Sequence, residues 1–301
     1  MSIASLIALA SRWHWVAELF SHFRLHYLLV QGVLLIVFMN TRRYLWLLAT
    51  VLMALPNAWY VVPYLSPLLA ASVTEASAEA PPQIVTVNLN YRLRSPAQII
   101  GYLQQSQAEV LVLSEYTPAW AELLEPALSA WPHRQTRPRA DPFGLAVFSR
   151  QPFISVQELP LNTPGSENLH LVLPLAGREI DLYAVHLFPP TSPARAAARN
   201  EQLLALANAL AENPDRPRLV TGDLNLSPYS PYFSSLLQAS GLTDARKKQG
   251  LLITWPASPL PLWVAIDHCL ADSAAGVSQV KTGPDIGSDH FPLEISLAAG
   301  S

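Results

Sequence analysis

The chain has 301 residues, half of them hydrophobic and 14% charged, with a net charge of −3, enough length for one large domain or two ordinary ones with a full core. From Glu75 onward 21 acidic residues outnumber 15 basic ones, so no basic stripe is present and non-specific clamping of long duplex DNA is disfavoured. Cys269 is the only cysteine, which excludes an intrachain disulfide and thiol-ligated zinc.

The apolar excess is concentrated at the start. Residues 2–20, SIASLIALASRWHWVAELF, are interrupted by Arg12 and Glu18; they read as a membrane crossing, an interfacial helix or a cleavable signal peptide. Two further apolar runs at 25–39 and 44–63 favour an anchor. The second matches the roughly 20 residues a bilayer crossing needs and the first is a little shorter. Arg42 and Arg43 in the short turn between them predict a cytoplasmic turn, and therefore a body exported across the cytoplasmic membrane. Residues 1–70 thus read as a membrane anchor of two or three transmembrane helices. Residues 71–82, ASVTEASAEAPP, have linker composition, and residues 83–301 form the soluble body.

In that body short apolar runs alternate with amphipathic ones. Buried strands are predicted at 83–89, 109–115, 143–149, 170–175, 180–187, 218–224, 262–271 and 292–297, with helices at 96–107 and 119–131. Ser192 caps and Pro193 opens a longer helix through Leu210. Many strands and few helices predict a large α/β or α+β sandwich.

Polar residues stand where the strands finish: Asn88 and Asn90, Glu115, His186, Asp223 and Asn225, Asp267 and His268, and Asp289 with His290 just before the last. One such ending is a turn; six imply a common polar floor on one side of a sheet. Hard cations such as Mg²⁺ take oxygen ligands, which Glu115 with Asn88 supplies. Asp223 is placed to hold a water and Asn225 to orient it or steady a phosphate oxygen. Asp267 with His290 makes an oriented general base, leaving His186 to donate to a phosphoryl oxygen or help the leaving group. His268 alternates away from Asp267 and reads as structural. Arg195 and Arg199 share a helix face from which they could reach a substrate phosphate, although a solvated cationic face is the plainer reading. The segment 246–249, RKKQ, reads as an exposed loop. Trp120, Trp131, Trp255 and Trp263 read as core or rim, with Trp255 a candidate for a substrate mouth.

The ordered set VNLN, LVLSEYTP, GLAVFSR, AVHL, VTGDLNLSPYSPYF, AIDHCLA and GSDHFPLEI resembles the endonuclease/exonuclease/phosphatase superfamily of DNase I-like hydrolases. With TWPASPLPLWVAIDH and the apolar start, it is similar to a membrane-anchored bacterial, YafD-like branch. The resemblance implies a four-layer αββα sandwich with the site at one end. It places the metal at Glu115, Asn88 and Asp289. The catalytic positions are His186, Asp223, Asn225, Asp267 and His290; Asn90 and, from the helix spacing alone, Arg195 and Arg199 are the candidates to face substrate. Asn90 stands where some members carry an aspartate. The expected activity is Mg²⁺-dependent (or Mn²⁺-dependent) nuclease-like phosphodiester hydrolysis. The expected partners are a phosphate-ester substrate, nucleic acid or phospholipid, and the lipid bilayer. The alternatives are a lipid head-group or phosphomonoester hydrolase, and a silent membrane-tethered binding module.

Overall fold

Four helices precede the sheets in the computed structural model, whose described residues are 2–69, 81–212, 215–247, 249–258 and 262–299. They are α1 (Ser2–Ile7), α2 (Trp15–Ser21), α3 (Arg24–Asn40) and α4 (Tyr44–Leu69). Helices α3 and α4 pack side by side about the turn holding Arg42 and Arg43. Residues Tyr44–Leu65 are long and apolar enough to cross a membrane; α2 and α3 pass the same test only together, as a pair bent by 58°. Residues 2–20 therefore make no continuous span, because the chain breaks between α1 and α2. Several buried polar groups of this region pair with one another. Arg24 donates to Asn57 Oδ1 at 3.2 Å and to the Ala8 carbonyl at 3.1 Å, and Asn57 donates to Ser5 at 2.7 Å. The predicted linker lies outside the described residues except for Pro81 and Pro82.

The body then runs β1 (Ile84–Asn88), α5 (Pro96–Gln105), β2 (Val110–Ser114), α6 (Pro118–Ala127), β3 (His133–Arg137), β4 (Leu145–Ser149), β5 (Ser155–Glu158), β6 (Leu169–Leu175) and β7 (Arg178–His186). It continues with α7 (Pro193–Glu212), β8 (Arg218–Asp223), α8 (Pro231–Ser240), β9 (Thr243–Asp244), β10 (Asp267–Ala271), β11 (Val277–Thr282) and β12 (Leu293–Leu297). Ser192 accepts the Arg195 N–H at 3.2 Å, the predicted cap of α7. The strand expected over 262–271 is paired as a strand only from Asp267, with Val264 in an isolated bridge to Trp255.

Two six-stranded mixed sheets result, ordered β11-β12-β1-β2-β4-β3 and β5-β6-β7-β8-β10-β9. Strands with side chains alternating between two covered faces are apolar on both. Ile84, Val110, Val112 and Val147 of the first sheet meet Leu171, Leu182, Leu219 and Cys269 of the second. Val85, Val87 and Leu111 turn outward onto Ile99, Leu103, Trp120 and Leu124 of α5 and α6. Tyr183, Val185 and Val220 turn outward onto Leu203, Leu206, Phe233 and Leu236 of α7 and α8. The layers are thus helix, sheet, sheet, helix, the expected DNase I-like sandwich. Each such buried side chain contributes about 1.5–3 kcal/mol.

Candidate active site

Strand alternation aims the polar strand ends at one place. Ile84, Thr86 and Asn88 of β1 share the inter-sheet face, as do Leu182, Ala184 and His186 of β7, Leu219, Thr221 and Asp223 of β8, and Asp267 and Cys269 of β10. His186 pairs in register with Asp223, and Asp223 with Asp267, so the three occupy one rung of the second sheet. Gly222 makes that rung possible: its φ is 137°, and a Cβ there would lie 1.8 Å from the Val185 carbonyl oxygen. Just beyond the strands, Asn90, Glu115 and Asn225 adopt left-handed φ values of 60°, 58° and 52°. Backbone of this kind collects at functional sites.

Hydrogen bonds join the two sheets across the rung. Asn88 donates from Nδ2 to Glu115 Oε1 at 3.3 Å and to Asp223 Oδ2 at 3.4 Å. Glu115 Oε2 accepts the Tyr91 N–H at 2.7 Å. His290 Nδ1 is 2.8 Å from Asp267 Oδ2, while Asp223 Oδ2 lies 3.8 Å from His186 Nε2 and 3.9 Å from His290 Nε2. Asp223 Oδ1 accepts the Asn225 N–H at 2.8 Å, and Asn225 Nδ2 donates to the Leu187 carbonyl at 2.8 Å.

Burial opposes charge on His290, but Asp267 beside it, with Asp223 and Asp289, outweighs that and pushes the imidazole up to about 10. Asp267 is buried too, yet His290 and the Thr254 hydroxyl hold it below the usual carboxylate range. Asp223 is raised well above that range by burial and then by the charge of Asp267. Glu115 is raised, chiefly by burial. His186 falls to about 4 through burial and the neighbouring charge of His290, so it is neutral.

Asn90 is committed internally, donating to Asp289 Oδ1 at 2.8 Å and accepting the Arg92 N–H at 3.0 Å; it positions Asp289 instead of presenting its amide to substrate. Arg199 departs from expectation altogether. It is fully buried, paired with Glu18 of α2, and donates to the Asn225 carbonyl at 3.3 Å, so it neither reaches substrate nor lies on a solvated face. Arg195 is exposed at the rim, its guanidinium 4.9 Å from the ring centres of both Phe143 and Phe188. Arg246, expected in an exposed loop, is buried against Asp244 and His268, because a guanidinium inside needs a carboxylate. His268 is structural as expected, facing the Leu226 carbonyl at 2.8 Å.

Two positioning residues gave no sequence signal, Asn168, which accepts the His186 N–H at 2.8 Å, and Thr254, which accepts the Asp267 N–H at 3.1 Å, whereas Ser288 of the GSDH motif donates to the Asn88 carbonyl at 2.6 Å. Above them opens a cleft of about 650 Å³. Its floor is Glu115, His186, Asp223, Asn225, Asp289 and His290; its walls include Trp15, Leu19 and Phe23 from the N-terminal helices, with Phe143, Trp255 and Ile266. Trp255 lines this cleft, and the N-terminal wall was not foreseen.

The donor set fits a hard divalent cation. Glu115, Asp223, Asp267 and Asp289 share the site, and among the described residues no lysine or arginine forms an ion pair with any of them. Ligand atoms of Asp223, Asp267 and His290 lie within 4.8 Å of one another. Oxygen-rich, anionic and partly enclosed surroundings suit Mg²⁺ or Mn²⁺.

The family described as the Endonuclease/Exonuclease/phosphatase family matches residues 85–290. No curated protein matches the chain. Among solved structures, the 3′ phosphatase NExo from Neisseria bound to a product DNA hairpin is 20% identical, with 72% of this chain and 99% of that one covered at a TM-score of 0.58. TDP2 from D. rerio with a single-strand DNA product is 18% identical, covering 72% and 98% at 0.57. Beta toxin from Staphylococcus aureus is 14% identical, covering 71% and 99% at 0.53. At these identities the likeness is one of fold.

Proposed function

The chain belongs to the endonuclease/exonuclease/phosphatase family, and from that premise we propose that it is a membrane-anchored, Mg²⁺-dependent phosphodiesterase whose catalytic domain lies outside the cytoplasmic membrane. The observation that carries this is the convergence of Asn88, Glu115, Asp223, Asp267 and His290, from five strand ends on two sheets, linked by contacts of 2.8 to 3.9 Å.

A divalent cation held by Glu115 with Asn88 and Asp289 would neutralise charge on the phosphoryl oxygens. Asp223 directs Oδ2 into the gap between His186 and His290, where it holds the attacking water. His290, oriented through Nδ1 by Asp267, accepts the water's proton. With its pKa near 10 it keeps its own proton at neutral pH while the surrounding carboxylates are uncompensated. It therefore acts as base only in the charge-compensated site. The water oxygen bonds to phosphorus as one P–O ester bond breaks, and the leaving oxygen retains the electron pair and takes up a proton. His186, kept neutral by burial, and Asn225 stabilise the crowded phosphoryl group, as preorganised donors do.

The exposed apolar surface of α4, including Leu45, Leu48, Leu52 and Leu55, supports the anchor, with Tyr44 and Trp46 near one end and Trp59 toward the other. Arg42 and Arg43 lie at the end of the helix pair away from the body, which Leu25 and Tyr64 contact through Tyr229. The test is turnover of an aryl phosphodiester by the full chain in detergent, with and without chelator. Activity should require the metal and fall by orders of magnitude in His290→Ala and Asp223→Ala; undiminished activity in either variant would remove the assignment.

A further inference from the structure

The wall that the N-terminal helices contribute bears on which phosphodiester the site takes. Trp15 and Leu19 stand one turn apart on α2, with Phe23 just beyond its end, and all three line the cleft above the catalytic floor. Their placement is held from behind. Glu18 is fully buried, paired with Arg199 and accepting the Ser230 hydroxyl at 2.7 Å, while His22 Nδ1 accepts the Ser227 N–H at 3.1 Å. Both contacts grip the loop that follows Asp223 and Asn225, so the wall is part of the site. Phe143, Trp255 and Ile266 face it, making a cleft polar at the bottom and apolar above.

A nucleic acid strand would ask for something else: cations tracking successive phosphates and a groove through which the chain can pass. Of the two arginines read as substrate-facing, Arg199 is consumed inside and Arg195 lies over two phenyl rings. The body is net acidic, with 21 acidic against 15 basic residues from Glu75 onward. The volume, about 650 Å³, suits one compact ligand, since small-molecule sites span roughly 300–1,000 Å³. Furthermore, only His22 and Phe23 separate α2 from α3, so the cleft wall runs directly into the helix pair read as the anchor.

Resting on the phosphodiesterase reading above, we propose that the substrate is an amphiphile, a phosphodiester of a long-chain lipid alcohol drawn from the bilayer, whose phosphate sits on the catalytic floor and whose hydrocarbon lies against Trp15, Leu19 and Phe23. Hydrolysis is as written above and yields a phosphomonoester and an alcohol.

The test uses the full chain in lipid nanodiscs with alkyl p-nitrophenyl phosphates from ethyl to octyl, each cleaved to the alkyl phosphate and p-nitrophenolate, and with thymidine 5′-(p-nitrophenyl phosphate) as the nucleotide probe. With the wild type, kcat/KM should rise about two- to fourfold per methylene, the upper value being full transfer from water to an apolar wall. Partition into the bilayer is common to all variants, so the octyl-to-ethyl ratio compared between proteins isolates the cleft. Leu19→Gln and Phe23→Ser should each lower that ratio at least tenfold. A series flat in chain length, a ratio unchanged in both variants, or faster turnover of the nucleotide probe than of the octyl ester would overturn the lipid assignment and leave the phosphodiesterase reading standing. No His290-dependent turnover of any probe would remove both.

Discussion

Replacing Glu18 with alanine strips the counter-charge from a guanidinium that has no access to water: Glu18 and Arg199 are each 0% exposed. Arg199 would keep as hydrogen-bond acceptors the Asn200 side chain at 2.9 Å and the Asn225 carbonyl at 3.3 Å, with the Tyr232 ring 5.7 Å away, and the Ser230 hydroxyl would lose its acceptor. Breaking a buried pair from one side costs about 3–5 kcal/mol, because the remaining charge stays desolvated. For a cooperative unit of this size each kcal/mol moves the unfolding midpoint by about 2–4 °C, so Glu18→Ala should lower the midpoint in detergent by about 10 °C. Replacing both partners with methionine should recover most of the loss, since an apolar pair of similar volume carries no desolvation penalty. The assay is tryptophan fluorescence against temperature for the wild type, the single and the double variants. A midpoint within about 2 °C of wild type for Glu18→Ala, or a double variant no better than the single, would refute the view that this pair pins α2 to the catalytic domain.

Three other outcomes follow from the same geometry. Asp267→Asn should lower the pKa of His290 from about 10, seen by NMR titration, and cut turnover by about 10²–10⁴-fold through loss of the oriented base. Gly222→Ala should yield little folded protein, because its methyl group would stand 1.8 Å from a carbonyl oxygen on a backbone with φ of 137°; soluble, cooperatively melting protein would contradict this. His268 is held neutral, its pKa lowered to about 3 by burial and by Arg246. Below pH 6.5 the unfolded chain binds a proton at this position that the native state refuses. His268 thus makes unfolding easier by about 1.4 kcal/mol per pH unit as pH falls. Denaturant unfolding of His268→Gln between pH 6.5 and 4.5 should be shallower by that slope.

Asn88, His186 and Asp223 were legible in the sequence because each ends a run whose inward positions are otherwise apolar or hydroxyl-bearing, and alternation by two carries that regularity directly into space; Asp267, expected at a strand's finish, instead opens β10 on the same face. His268 was read as structural for the same reason. Arg199 shows where such reasoning stops: helical spacing puts it on one face with Arg195, but its partner is Glu18, which lies 181 positions away. An acidic residue inside an otherwise apolar segment was visible at Glu18 and points to a buried partner, without saying which one. Strand β3, His133–Arg137, has the sequence HRQTR and no buried position. It is an edge strand recruited by pairing with β4 and carries no hydrophobic pattern to announce it.

The shared rung of His186, Asp223 and Asp267 ties chemistry to strand pairing. Shifting β8 by one position would turn Asp223 toward α7 and α8 and bring Gly222 or Leu224 to face the imidazoles. Every misaligned conformer of the second sheet would thus be catalytically dead, whatever its compactness. Specific activity per mole of purified protein then reports the fraction of molecules whose ladder closed correctly, a quality measure that circular dichroism cannot supply.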